Sequence, residues 1–93
     1  MTDKEAFYKK LKESLENTTQ FPAPYLYKFI VPANGNQLQE IKEVYKSKPS
    51  KITTNTSKTG KYISVSITVQ LSSSDEVISF YKKVEKIEGI ISL

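Results

Sequence analysis

Residues 59 to 69, TGKYISVSITV, alternate with period two. Ile63, Val65, Ile67 and Val69 fall on one side, and Tyr62, Ser64, Ser66 and Thr68 on the other. Strict alternation over this length predicts a strand with one face buried and one face in water. An antiparallel sheet tolerates a wet face. The strand thus limits the folds open to the chain, and it poses the functional question of what the wet face is for.

The flanking sequence supplies the other elements. A first helix is expected from about Asp3 to Leu15, where Thr2 and Glu5 fit a capping box and Phe7, Leu11 and Leu15 make an apolar stripe. The stretch FPAP at residues 21 to 24 carries two prolines and excludes helix. Strand one should run from Tyr25 to Val31, with Tyr27, Phe29 and Val31 facing the core and Leu26, Lys28 and Ile30 facing out. After the PANGN loop, Asn36 with Gln39 is expected to cap a second helix, whose apolar face is Leu38, Ile41, Val44 and Tyr45. That helix fades near Lys46, and Pro49 marks the next break. Threonines and Ile52 predict a strand from Lys51 to Thr56. A hairpin over Ser57-Lys58-Thr59-Gly60 follows, with Gly60 suited to positive φ. The alternating strand ends near Leu71. Ser73-Ser74-Asp75-Glu76 reads as a capping box for a third helix with Val77, Phe80, Tyr81 and Val84 on one side. Gly89 ends that helix, and Ile90 to Leu93 make a short last strand.

Without the first helix the order is β-α-β-β-α-β. That predicts an α+β, ferredoxin-like sandwich: an antiparallel sheet in the order 4-1-3-2, two helices on one face, and an extra N-terminal helix. Residues 1–20 read as a helical extension and residues 21–93 as the domain.

Composition narrows the function classes. The 93 residues hold no cysteine and no histidine, which removes thiolate metal sites and the commonest general base and metal ligand. Asp75 and Glu76 are explained by capping, and Glu40, Glu43, Glu85 and Glu88 lie on helix surfaces among lysines. No pair of carboxylates, serine elbow, phosphate loop or acidic metal loop is present, so no catalytic residue, metal ligand or cofactor is assigned. No run approaches the ~20 apolar residues of a membrane span, and the charged N-terminus lacks a secretory pattern, so no membrane partner is expected and the cytoplasm is the expected compartment. The net charge is +4 and every cation is lysine, so the arginine fork that grips phosphate or guanine is missing. Between Glu43 and Asp75 there is no acid, while Lys46, Lys48, Lys51, Lys58 and Lys61 make a mild positive patch.

The sequence resembles the YbeD-like family of small bacterial proteins of unknown function over residues 20 to 93. The resemblance rests on Phe21-Pro22, on Tyr25 and Lys28, and on Ser57, Gly60, Tyr62 and Ser64 around the hairpin. It departs at Thr59, where relatives often carry lysine directly before the glycine; here the lysines stand at 58 and 61. The family is similar in fold to regulatory ACT domains, which bind amino acids and modulate enzymes. The family's own biochemical role is not established, so the resemblance implies the fold and only tilts the function toward a regulatory module.

Two surfaces are candidate sites. In the expected topology the loop Asn34-Gly35-Asn36 lies near the hairpin lysines Lys58 and Lys61, at the N-terminus of the second helix. That is a seat for the carboxylate of a small effector. ACT domains use the equivalent loop, with an Asp and a Pro-Gly; here the Asp is missing and Pro32 is separated from Gly35. The other surface is the open sheet face with Leu26, Lys28, Ile30, Tyr62, Ser64 and Ser66. Its apolar centre with a hydroxyl and lysine rim suits a protein partner. The first helix either covers this face or docks on a second copy as a homodimer. The expected function is a non-enzymatic regulatory or adaptor module that binds protein, with a small carboxylate as effector. The alternative is RNA or other nucleic acid bound through Tyr62 and the lysines, although an RNA-recognition sheet needs outward aromatics on strands one and three.

Overall fold

The computed structural model describes residues 3–92. It is an α+β structure of three helices and a four-stranded antiparallel sheet in the order β2-β3-β1-β4. The elements are α1 (Asp3–Thr18), β1 (Ala23–Pro32), α2 (Gln37–Tyr45), β2 (Ser50–Thr56), β3 (Tyr62–Leu71), α3 (Ser74–Glu85) and β4 (Ile91–Ser92). The order of strands agrees with the expectation from sequence. The capping box expected at Thr2 and Glu5 begins outside the described residues, as does Leu93 of the last strand.

The alternating stretch becomes β3, the central strand with β1, which it pairs residue for residue from Ala23↔Leu71 to Pro32↔Tyr62. Directly opposed residues share a face, so the register carries the alternation of β3 onto β1. Tyr27, Phe29, Val31, Val65, Ile67 and Val69 all turn inward, none more than 1% exposed. There they meet Ile41 and Tyr45 of α2 and Val77, Phe80 and Val84 of α3 in one cluster.

Tyr27 is the hub of that core. Its ring lies 4.7 Å from Tyr25, 5.3 Å from Tyr45 and 4.8 Å from Tyr81, centroid to centroid. Its hydroxyl donates to the Val77 carbonyl at 2.9 Å, which ties β1 to α3. Burial pushes the phenol pKa of both Tyr27 and Tyr45 far up, so both stay neutral donors. The Tyr45 hydroxyl is buried with no partner among the described residues.

The helix starts differ from one another. At α3, Ser73 accepts from the Glu76 amide at 3.2 Å, as its sequence predicts, while the Glu76 carboxylate accepts from the Ser72 amide at 2.8 Å. At α2, Asn36 is the N-cap but makes no side-chain cap bond, and Gln39 turns to Glu43 at 3.5 Å. The expected Asn36–Gln39 cap is thus absent. Both turn glycines are needed: Gly60 has φ +72 in the hairpin and Gly89 has φ +83 after α3. Glu88 lies beyond the end of α3 rather than on it.

The first helix does not cover the open sheet face, one of the two alternatives expected of its stripe. It packs on α3, away from the open sheet face. Tyr8 donates to Glu85 at 2.5 Å, Lys4 pairs with the same carboxylate, Lys12 pairs with Asp75 at 2.8 Å, and Ser74 donates to Glu16 at 3.1 Å. Of the stripe, Leu15 is buried, Leu11 half-buried and Phe7 59% exposed.

Candidate functional site: the open sheet face and its edge

The register that buries the core turns the opposite row of side chains into water. Across the sheet, Ile91 of β4 stands beside Ile30, Ile30 beside Ser64, and Ser64 beside Asn55. The next row is Lys28, Ser66 and Thr53, and the next is Leu26, Thr68 and Lys51. Tyr62 opposes Pro32 at one end. The six residues named from sequence for this face, Leu26, Lys28, Ile30, Tyr62, Ser64 and Ser66, therefore do share it. Leu26 and Tyr62 are each 49% exposed and Ile91 is 54% exposed.

The chemistry of the face is graded. Apolar side chains sit on β1, β4 and the start of β3, and threonine, serine and asparagine take over toward β2. Its only charges in the paired rows are Lys28 and Lys51, both on exposed residues. Tyr25, Tyr27 and Phe29 face the helices, so Tyr62 is the aromatic that β1 and β3 together present outward. A base-stacking platform with an aromatic on each of those strands is not assembled.

Some members of the face were missed from sequence. Ile91 follows Gly89 so closely that no period can be read for it. Lys51, Thr53 and Asn55 do alternate with Ile52 and Thr54, and that pattern, joined to the antiparallel register, would have placed them. A further apolar cleft of ≈ 430 Å³ opens between α1, α3 and β4, lined by Phe7, Tyr81, Ile87 and Ile90 with Glu85 at its rim. It was not foreseen because Phe7 was assigned to the packing stripe.

The second candidate is the loop between β1 and α2. The Ala33 amide donates to the Lys61 carbonyl at 2.9 Å, so the loop and the hairpin meet as expected. Asn34, Gly60, Lys61, Pro32 and Tyr62 line a shallow cleft of ≈ 430 Å³. Lys58, Gly35 and Asn36 are not among its walls. Gly35 is instead packed against the Gln37 side chain, whose Nε2 reaches the Glu88 carbonyl at 3.3 Å. Of the five residues expected to seat an effector, the fold brings Asn34 and Lys61 together at one cleft. Among the described residues no group of three or more acids is placed to hold a metal ion, and no helix is long and apolar enough to cross a membrane.

Comparison with known proteins adds two findings. Residues 16–93 match the family described as "Protein of unknown function (DUF493)". The fold is similar to the solution structure of protein HP0495 from H. pylori, with a TM-score of 0.65 and 25% sequence identity over 82% of this chain and 86% of that one. No curated protein matches the chain.

Proposed function

We propose, from the premise that this chain belongs to the DUF493 family, the same family that the YbeD-like resemblance indicated, that it is a non-enzymatic adaptor or regulatory module that binds a protein partner on its open sheet face. We read the β-α-β-β-α-β order after α1 as the ferredoxin-like arrangement, akin to regulatory ACT domains, with α1 as an extension. The observation that carries the reading is that α1 docks on α3 and leaves Leu26, Tyr62 and Ile91 exposed, with Ile30 half-buried among them. Covering such a group releases apolar surface from water, and the hydroxyls, Asn55, Lys28 and Lys51 give the rim hydrogen bonds. Recognition is by shape and polarity, with no covalent step. A small carboxylate effector would sit at the Asn34–Lys61 cleft beside Tyr62, close enough to the face to bias it.

The test is capture of partners from native lysate by the tagged chain, at low and high salt, in parallel with Leu26→Ser/Tyr62→Ala. The expected result is a specific protein held by the wild-type chain at high salt and lost from the variant. Recovery of nucleic acid alone, released as salt rises, would overturn the reading in favour of the lysines, since phosphate-driven binding weakens by a log–log slope of about 0.7 to 0.9 per phosphate contact.

A further inference from the structure

The sheet also ends in an edge whose features the face reading does not use. β2 is a terminal strand of the sheet, paired on one side only, to β3. Its pairing runs unbroken from Ser50↔Val69 to Thr56↔Ile63, with no bulge and no proline. Its free side is therefore a straight run of unpaired backbone donors and acceptors. The helices stop short of it: Thr54 and Thr56 belong to the inward-facing row yet are exposed, as are Thr53 and Asn55 on the other side. An added strand would meet no helix there, and the neighbouring side chains are short.

The charge around the edge is of one sign. Lys51 lies in the strand, and Lys58 and Lys61 lie in the hairpin that follows it, all exposed. Lys46 is taken up by Glu43 and Lys48 by Glu76, at 2.8 and 2.6 Å, whereas among the described residues no ion pair involves Lys51, Lys58 or Lys61. A lysine on an edge strand discourages indiscriminate pairing. The same lysines attract a strand of opposite charge.

We propose that the β2 edge accepts an extended acidic segment of a partner protein as a fifth strand of the sheet. The backbone ladder gives binding, and carboxylates on the segment facing Lys51 and Lys58 give selectivity. This stands on the edge itself and not on the apolar face.

The experiment titrates the isotopically labelled full chain with a short synthetic peptide of alternating valine and threonine flanked by glutamates, followed by amide chemical shifts. Two further peptides serve as comparisons, one with lysines for the glutamates and one with the acidic sequence N-methylated on alternate amides. The acidic peptide should shift Ser50–Thr56, bind at least about tenfold more tightly than the lysine peptide at low salt, and lose its binding on N-methylation. Lys51→Glu/Lys58→Glu should reverse the charge preference, and both side chains are exposed, so the fold should survive. Leu26→Ser/Tyr62→Ala should leave peptide binding unchanged, which separates this proposal from the face reading. No saturable shift up to about 1 mM peptide would overturn the proposal, as would equal binding of the N-methylated peptide. Shifts confined to Leu26, Ile30 and Tyr62, or tighter binding of a single-stranded RNA oligomer at the same edge, would overturn it too.

Discussion

The two faces of this sheet share one backbone and one register, and they differ in almost everything else. On the inner face, Tyr27, Phe29, Val31, Val65, Ile67 and Val69 are sealed by α2 and α3. On the outer face, Leu26, Tyr62 and Ile91 are about half exposed or more, although their side chains are as apolar or aromatic as those inside. The spare helix could have evened the balance and does not. Its bonds run to α3, through Tyr8–Glu85, Lys12–Asp75 and Glu16–Ser74. The contrast teaches that α1 rests where Leu15 and Leu11 join the core and its polar side chains meet partners on α3, and that this leaves the outer face bare. What is left bare is then available for recognition.

The contrast breaks first at Tyr27. Tyr27→Ala removes the ring on which Tyr25, Tyr45 and Tyr81 converge, and should cost about 3–5 kcal/mol in urea denaturation. A loss below about 1 kcal/mol would mean that the inner face is not the core. A finer version compares two buried hydroxyls. Tyr27→Phe removes a buried hydrogen bond to the Val77 carbonyl and should cost about 0.5–1.5 kcal/mol, whereas Tyr45→Phe removes a hydroxyl that has no partner among the described residues and should be neutral or stabilising. Equal losses from the two would contradict the packing described.

A smaller effect concerns acid. A bond from Lys48, and then one from the Ser72 amide, holds the Glu76 carboxyl below the usual range, and Lys4 with Tyr8 does the same for Glu85. Because these folded-state values lie below the ordinary 4.5, the stability they contribute is complete above that pH and is lost as pH falls through the depressed values. Both pairs are partly solvated, so Glu76→Gln or Glu85→Gln should each remove no more than about 1 kcal/mol at neutral pH and flatten the acid limb of the stability profile.

How much of this was legible in the sequence depends on the range of the interactions. The alternation of β3 and β1 gave both faces and the inward turn of Tyr27, because period-two patterning is local, and the succession of elements gave the 4-1-3-2 order. The Ser73 cap and the two positive-φ glycines were legible for the same reason. The docking of α1 was not, because Phe7, Leu11 and Leu15 say only that a stripe exists and the decisive bonds reach residues far away in the chain. The Asn36 cap failed because several arrangements compete at a helix start, and here the Gln37 side chain fills the space beside Gly35. At the candidate sites, the outward rows of β1 and β3 were readable and Ile91 was not. The loop cleft was half readable: backbone pairing at Ala33 and Lys61 brings Asn34 and Lys61 together, but where Lys58 points within a hairpin does not follow from its position.

The measurement that goes most directly to the central claim is Tyr62→Ala, read in parallel for unfolding free energy and for capture of a protein partner at high salt. The account predicts stability within about 0.5 kcal/mol of the wild-type chain together with loss of capture. A fall in stability of about 2 kcal/mol or more, or capture that survives the change, would contradict it and return Tyr62 to a structural role.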